Sequence, residues 1–266
     1  MILPPVEELR DVAEAMAEAA ARETLSRFRT PMAADSKGGP GGAFDPVTDA
    51  DRAAEAAMRA VLRARRPGDG VLGEEGGGAP GTSGLTWVLD PIDGTRAFLA
   101  GAPTWGTLIA CGPDGGAPIL GLIDQPYVGE RFYGGPDGSH VTRGTERKAL
   151  RTRKVRGIGE AILLSTFPEV GTPEEGAAFR RVAEATLLTR YGLDCYGYAL
   201  VAAGHADLVI EAGLAPYDVQ GPMAVVRAAG GIVTSWDGGP AESGGRVVAA
   251  GCAALHEAVI ARLRDA

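Results

Sequence analysis

The chain has 266 residues, of which 45% are hydrophobic, and carries a formal net charge of −8 at pH 7. It can bury a substantial core, as one large domain or as two closely packed lobes. The negative charge argues against duplex nucleic acid as the main partner. Because we find neither a signal-peptide pattern nor a run of about 18 apolar residues, we expect a cytoplasmic protein that does not bind membranes.

The cysteines and histidines indicate neither a disulfide framework nor a zinc site. Cys111, Cys195 and Cys252 have no paired spacing, and the three histidines are far apart along the chain. We therefore expect reduced cysteines. The one basic cluster, residues 147–154, is short and favours a solvated loop or an edge strand over a binding patch.

The first half of the chain predicts two helices followed by several strands. Apolar residues at helical spacing predict an amphipathic helix from residue 6 to about 28, and the glycine-rich segment 38–42 predicts a loop. Thr48 and Asp51 have the spacing of a capping box, which predicts that a second helix begins at Thr48. Strand-like runs follow at residues 71–72, 87–90, 105–111, 119–123 and 131–133.

The second half alternates strands with helices. Strands are predicted at residues 161–165, 207–210, 232–236 and 247–250. Helices are predicted from Thr172 to about Leu188, over 195–203, over 219–229 and from Ala253. This alternation predicts a layered α/β fold. The basic stretch near 145–155 is the expected boundary between an N-terminal lobe, residues 1–148, and a C-terminal lobe, residues 149–266.

Acidic residues recur at the ends of these predicted elements. A carboxylate at the end of a buried strand is costly unless it is paired or binds a metal ion. Acids at strand exits and helix starts can converge on one point, as a metal site with oxygen ligands requires. Each acid taken singly has a structural alternative, namely a helix-start charge, a solvated loop acid or a helix cap. The acids concerned are Asp51, Glu74, Asp90, Asp93 and Asp218.

Four motifs contain these acids. They are DPVTDAD at 45–51, GEE at 73–75, WVLDPIDGTRAF at 87–98, and YD at 217–218 before an apolar helix. Together, and in this order, they resemble the inositol monophosphatase superfamily over nearly the whole chain. The resemblance implies an αβαβα sandwich of two packed lobes. It also implies a Mg²⁺-dependent, lithium-sensitive phosphatase that acts on a small phosphate monoester and is usually a homodimer.

The resemblance also implies a set of metal ligands. Glu74, Asp90 and the backbone carbonyl of Ile92 would hold one Mg²⁺. Asp90, Asp93 and Asp218 would hold another, so that Asp90 bridges the two ions. The expected number of ions in the site is two or three. A pair of ions can orient an attacking water and also neutralise the leaving oxygen of a phosphate ester.

The residues between and after these ligands have implied roles too. The fixed φ of Pro91 would stiffen the turn so that the flanking ligands converge. Gly94 and Thr95 would bind a phosphate oxygen through their N–H groups. The Thr95 hydroxyl, with Asp51 or Glu74 as acceptor, would take the proton of the attacking water. An aspartate nucleophile two residues before Asp93 is disfavoured because that position is a proline.

Within the superfamily, the chain is most similar to the histidinol-phosphate phosphatase branch. The likeness lies in residues 95–98, 106–110, 121–126, 194–200 and 211–218. It implies hydrolysis of L-histidinol phosphate in histidine biosynthesis, with Asp93, Asp194 and Glu211 binding the substrate. Asp194 has the alternative of capping the helix that follows it. Segment 38–42 departs from the family pattern and is a candidate lid.

Two other functions stay open on this sequence. One is hydrolysis of a different phosphate monoester, namely inositol 1-phosphate, a range of sugar phosphates or a nucleotide 3′-phosphate. The other is a catalytically silent metal-binding or regulatory homologue, against which the complete set of acids argues.

Overall fold

A computed structural model describes residues 3–31, 33–36 and 46–264 of the chain. The candidate lid, residues 38–42, lies outside the described residues, as do Lys37 and Asp45. Across the part of the chain that is described, no helix is both long enough and apolar enough to span a membrane.

The described residues form seven α-helices, fifteen strands and a short 3₁₀ turn at Ile158–Glu160. The helices are α1 (Val6–Leu25), α2 (Asp49–Arg65), α3 (Thr95–Ala100), α4 (Pro173–Ala183), α5 (Cys195–Ala202), α6 (Pro216–Ala228) and α7 (Ala253–Arg264). The first ten strands are β1 (Ala34–Ser36), β2 (Pro46–Thr48), β3 (Gly70–Gly73), β4 (Gly77–Ala79), β5 (Leu85–Asp93), β6 (Gly106–Pro113), β7 (Leu120–Gln125), β8 (Glu130–Gly135), β9 (Gly138–Arg143) and β10 (Glu146–Ala149). The last five are β11 (Ile162–Ser165), β12 (Leu188–Tyr191), β13 (Leu208–Leu214), β14 (Ile232–Ser235) and β15 (Gly245–Ala250).

The strands form two large sheets and a two-stranded ribbon of β1 and β2. The eight-stranded sheet has the order β10-β9-β8-β7-β6-β5-β3-β4 and is antiparallel except where β3 runs parallel to β5. The five-stranded sheet has the order β12-β11-β13-β15-β14, with β11 parallel to both of its neighbours. The chain thus passes from one sheet to the other between β10 and β11. Division into lobes at residue 148 stays a prediction.

Helices cover both faces of each sheet. Helices α1 and α2 pack on the outer face of the eight-stranded sheet. Helices α5 and α6 lie between the two sheets, and α4 and α7 cover the outer face of the five-stranded sheet. The layers therefore follow the order αβαβα, which confirms the architecture that the sequence resemblance implies.

Local sequence signals set the first turns of two helices. At α2 the Thr48 hydroxyl accepts the Ala50 N–H at 3.1 Å, and the Asp51 carboxylate accepts the Thr48 N–H at 2.8 Å. The predicted capping box is therefore present. Thr172 and Glu175 form the same reciprocal pair at α4.

The predicted end of α4 near Leu188 is wrong. The helix ends at Ala183, and the chain turns before Leu188–Tyr191 runs parallel to β11 as strand β12. The Leu187 N–H donates to the Ala161 carbonyl at 3.0 Å and begins this pairing. A strand partner outweighs local helical spacing here, because side-chain and backbone pairing in a sheet can override propensity. The basic cluster is partly edge strand and partly loop, as predicted, since residues 147–149 lie on β10 at the edge of its sheet and residues 150–154 lie outside any strand.

Helix α6 approaches the eight-stranded sheet closely because glycines line the contact. A Cβ at Gly134 on β8 would lie 2.4 Å from the Cα of Val225 on α6. A Cβ at Gly121 on β7 would lie 2.5 Å from the carbonyl oxygen of Gly221, which is on the helix itself. No side chain can therefore separate the two backbones. This contact positions the helix that carries Asp218 in its first turn.

Gly134→Ala is expected to lower the free energy of unfolding by about 1–3 kcal/mol, because the added methyl group overlaps the backbone of α6. Chemical denaturation followed by circular dichroism measures the change. Gly157→Ala is the matched control, since a Cβ at Gly157 meets no atom within 4 Å and its φ of −171° is ordinary extended backbone. Equal stability of the two variants would show that α6 moves away from the sheet without cost.

Candidate active site

The end of β5 departs from regular strand pairing. Its ladder with β6 shifts register between Asp90 and Asp93, so the intervening residues form a bulge. Pro91 fits this position because a bulge does not require its missing N–H. The Pro91 carbonyl accepts the buried Thr107 hydroxyl at 2.8 Å, and the Ile92 N–H donates to Asp90 Oδ1 at 3.0 Å. These bonds stiffen the turn between the two aspartates.

Ile92 and Gly94 connect the core to a cavity at the end of β5. The Ile92 side chain is fully buried in a cluster with Phe98 and Trp105, while the residue also lines the cavity. Gly94 has a φ of +82° and is the N-cap residue of α3. A Cβ at Gly94 would lie 2.9 Å from Cγ of Asp194. Glycine is therefore required there both by the backbone angle and by the neighbouring side chain.

Three carboxylates meet in this cavity. One oxygen from each of Asp90, Asp93 and Asp218 lies within 4.8 Å of the other two. Asp93 accepts the Cys195 N–H at 2.6 Å, and Asp218 accepts the Ala215 N–H at 2.7 Å. Each carboxylate retains oxygen lone pairs for a further ligand. The group thus has the composition of a site for a hard cation.

Burial, together with repulsion by neighbouring carboxylates, raises the pKa of all three acids. For Asp90, burial comes first, and the charges of Glu74, Asp93 and Asp218 add to it, so the pKa is raised well above its usual value. Burial and then the charge of Asp194 raise the pKa of Asp93 in the same way. Burial is also the main cause that raises the pKa of Asp218 to about 7. A divalent cation would relieve this repulsion, so the residues present fit a metal ion.

Glu74 lines the same cavity at the end of β3. The negative charge of Glu74 repels that of Asp90, and the two side chains also share a hydrogen bond. The loop that carries Glu74 is fixed by Glu55, a buried residue of α2. The Glu55 carboxylate accepts the N–H groups of Glu75 and Gly76 at 2.8 Å each. Sequence reasoning missed Glu55, although a glutamate on the apolar face of a helix was a signal that could have found it.

Thr95 connects the cavity to a second buried acid. Its hydroxyl lies 3.1 Å from the Ile92 carbonyl and 3.4 Å from Asp51 Oδ1. Asp51 Oδ2 accepts the N–H and the hydroxyl of Thr48, so Asp51 also caps α2. Burial is the main cause that raises the Asp51 pKa. The capping role and the contact with Thr95 therefore coexist, each on one carboxylate oxygen.

Asp194 lies in the cavity without capping a helix. It precedes α5 with a φ of +47°, which is unfavourable for any residue except glycine, and its side chain makes no bond to the first turn of α5. The Thr104 hydroxyl donates to it at 3.4 Å instead. Burial, followed by the charge of Glu211, raises the pKa of Asp194 to about 6. The structure thus contradicts the capping alternative.

Glu211 is a further acid of the cavity, and protein donors surround it. Thr166 and Tyr198 donate to its two carboxylate oxygens. Sequence reasoning missed Thr166 and treated Tyr198 as a packing residue, because nothing in the local pattern marks either as a polar partner. It also missed Arg96 and Phe167, which stack at 4.9 Å and line the same cavity.

The cavity has a volume of about 380 Å³, which suits a small molecule. Of the ten residues that the sequence predicts to act in catalysis or in binding metal, phosphate or substrate, nine line it. The exception, Asp51, lies buried behind Thr95. Their roles stay predictions, since proximity does not assign chemistry. The nine are Glu74, Asp90, Ile92, Asp93, Gly94, Thr95, Asp194, Glu211 and Asp218.

Comparison with known proteins relates this chain to a family of phosphatases. The model of the inositol monophosphatase family matches residues 5–266. The chloroplastic bifunctional phosphatase IMPL2 of Arabidopsis thaliana is 42% identical over 197 residues, which are 73% of this chain but only 56% of that protein. The histidinol-phosphatase of Mycobacterium tuberculosis is 37% identical over 82% of this chain and 84% of its own length. A solved inositol monophosphatase of Zymomonas mobilis superposes with a TM-score of 0.85 at 38% identity, covering 98% of this chain and 99% of that one.

Asp90→Asn is expected to raise the melting temperature of the metal-free protein at pH 8. Acids whose folded-state pKa is raised contribute full stability below their unfolded pKa, about 4, and lose it as the pH rises through the folded value. With a chelator present to remove metal ions, the wild type should therefore be less stable at pH 8 than at pH 5. At pH 8, removing one charge should raise the melting temperature by about 2–4 °C for each kcal/mol of repulsion that is relieved. The increase should be smaller at pH 5. Thermal melts at both pH values measure it.

Asp237→Asn is the matched control for this experiment, because it removes a carboxylate whose side chain is 66% exposed and lies in an ion pair away from the cavity. MgCl₂ is expected to stabilise the wild type more than Asp90→Asn. An unchanged melting temperature of Asp90→Asn in the chelator, or an equal response of both proteins to MgCl₂, would contradict a cation site at these acids.

Proposed function

The chain belongs to the inositol monophosphatase family, and from that premise we propose that it is a Mg²⁺-dependent enzyme that hydrolyses L-histidinol phosphate to L-histidinol and phosphate. The family consists of metal-dependent phosphoric monoester hydrolases, so the reaction class is given by membership. The substrate is our proposal. It is carried by one observation, which is that Asp194 and Glu211 line the cavity in addition to the tight carboxylate group.

The negative charge of these two acids favours a phosphate ester whose alcohol part carries a positive charge. Histidinol phosphate has an ammonium group and an imidazole ring that is partly protonated near neutral pH. The charge of Glu211 raises the electrostatic cost of a charge on Asp194, and a cation bound near both would lower it. A neutral polyol would gain little from either. Asp93 is the third acid proposed to contact the substrate.

The metal ligands follow from the carboxylate group. We assign one Mg²⁺ to Glu74, Asp90 and the Ile92 carbonyl, and a second to Asp90, Asp93 and Asp218. Magnesium bound there would supply Lewis-acid chemistry, neutralising charge on the phosphate and lowering the pKa of water. The bulge at Pro91 supports this assignment because it orders the chain between Asp90 and Asp93 before any ligand arrives.

Thr95 and Asp51 would move the proton of the attacking water. The Thr95 hydroxyl accepts that proton and donates its own to Asp51 Oδ1, 3.4 Å away. Because burial raises the Asp51 pKa, this carboxylate is a better proton acceptor than an exposed aspartate. Gly94 has no side chain, so a phosphate oxygen could approach the N–H groups of Gly94 and Thr95 at the start of α3.

The test of the proposed function is a comparison of two substrates on the purified protein. With Mg²⁺ present, kcat/KM for histidinol phosphate is expected to exceed that for inositol 1-phosphate by about tenfold or more, or about 1.4 kcal/mol. A preference for inositol 1-phosphate is the second candidate. It is favoured by the similarity to the inositol monophosphatase of Zymomonas mobilis, which is 38% identical over nearly the whole chain. A higher kcat/KM for inositol 1-phosphate would establish that second function.

Asp194→Asn is expected to raise KM for histidinol phosphate by about tenfold or more, about 1.4 kcal/mol. The variant retains the shape of the side chain and an oxygen for the Thr104 hydroxyl but loses the negative charge. KM for glycerol 2-phosphate, a neutral alcohol ester, should change less. Asp49→Asn, which removes a side-chain charge that is 87% exposed, is the control. An equal change in KM for both esters, or no change, would show that Asp194 does not select the substrate.

A further inference from the structure

We propose that Tyr198 is a positioning residue for substrate selection: its hydroxyl orients the Glu211 carboxylate toward the cationic part of the substrate. The inference rests on the proposed function and deepens it, because it identifies what makes a buried glutamate a directional binding group. Tyr198 is not proposed to touch the reacting atoms.

The contacts of Glu211 form a clamp with donors on both oxygens. The Tyr198 hydroxyl donates to Oε2 at 2.8 Å. The Thr166 N–H and hydroxyl both donate to Oε1, at 3.1 and 2.5 Å. Glu211 is only 7% exposed, and it stands on β13 where the pairing with β15 shifts register. Three donors from two separate elements, α5 and the residues after β11, therefore meet one carboxylate.

A carboxylate held in this way can accept a hydrogen bond from a ligand in only a narrow range of directions. An ionised carboxylate offers about four lone-pair positions, and three are occupied by protein donors. The remaining position is left for a donor in the cavity that Glu211 lines. A ligand with an N–H group, such as an ammonium, supplies that donor with a favourable charge. A freely rotating glutamate would instead lose conformational freedom each time a ligand bound.

Tyr198 is suited to hold such a carboxylate. Its ring is 2% exposed and packs in the apolar cluster between the two sheets, so the hydroxyl is fixed in place. Burial raises the Tyr198 pKa well above its usual range, which keeps the hydroxyl protonated and able to donate. A phenylalanine would fill nearly the same volume. The hydroxyl is thus the part of this side chain that acts on Glu211.

The same helix provides a matched control. Tyr196, two residues earlier on α5, donates its hydroxyl to Glu130 Oε2 at 2.5 Å. Neither Tyr196 nor Glu130 is among the described residues that line the cavity. Tyr196→Phe and Tyr198→Phe therefore each remove one hydroxyl-to-glutamate hydrogen bond from α5, and only the second bond involves the cavity.

The experiment measures steady-state kinetics of both variants with Mg²⁺ on histidinol phosphate and on glycerol 2-phosphate. Tyr198→Phe is expected to raise KM for histidinol phosphate by about five- to tenfold, with kcat within about twofold, because contacts to the phosphate are unchanged. KM for glycerol 2-phosphate should stay within about twofold. Tyr196→Phe is expected to change neither value, and thermal melts verify that both variants are folded.

A second pair of variants tests the same clamp from its other side. Thr166→Ser retains a hydroxyl for Glu211, whereas Thr166→Val removes it. We expect the serine variant to retain the wild-type ratio of kcat/KM for the two esters, and the valine variant to lower the ratio as Tyr198→Phe does. Such rescue by a conservative change separates orientation of Glu211 from general packing.

The outcomes distinguish the inference from the function on which it rests. A wild type that hydrolyses glycerol 2-phosphate as efficiently as histidinol phosphate would overturn the proposed function, and the inference with it. A wild type that prefers histidinol phosphate while Tyr198→Phe retains that preference would overturn the inference alone. Equal KM increases for both esters in Tyr198→Phe, or the same increase in Tyr196→Phe, would also overturn it.

Discussion

Repulsion between carboxylates that share one cavity is the constraint on which the rest of this structure depends. Asp90, Asp93 and Asp218 lie close together and largely out of water, where like charges are costly. Acids can be clustered in this way when other interactions position them and bound protons or a cation offset their charge. The clustered acids therefore destabilise the folded protein, and packing of the surrounding helices and sheets offsets that cost.

Each acid is fixed by a different element, and the fold brings those elements to one point. The bulge at Pro91 orders the end of β5, the first N–H of α5 binds Asp93, and α6 carries Asp218 against the sheet. Glu55 on α2 fixes the loop that carries Glu74 by accepting two of its backbone N–H groups. The two sheets contribute different parts, since β3 and β5 belong to one and β13, with Glu211, to the other. The cavity forms only when both have folded.

Much of this arrangement could be predicted because it follows from short-range patterns. The apolar strand before Asp90, the capping box at Thr48 and the alternation of strands and helices are local signals, and ordered motifs made the family recognisable. Strand β12 could not be predicted, because it is only four residues long, follows a helical pattern directly and pairs with a strand that is distant in sequence. Thr166 and Tyr198 were missed for the same reason, since each acquires its role only from Glu211.

The hydrogen bond from the Cys195 N–H to Asp93, together with the contact between Gly94 and Asp194, joins two parts of the chain about one hundred residues apart. One of these parts is proposed to bind metal and the other to select the substrate, yet they are in direct contact. A substitution that moves the backbone at 194–195 would therefore also move Asp93. An exchange of one polar side chain for another at Asp194 leaves this junction intact, whereas an insertion there would disturb the proposed metal site.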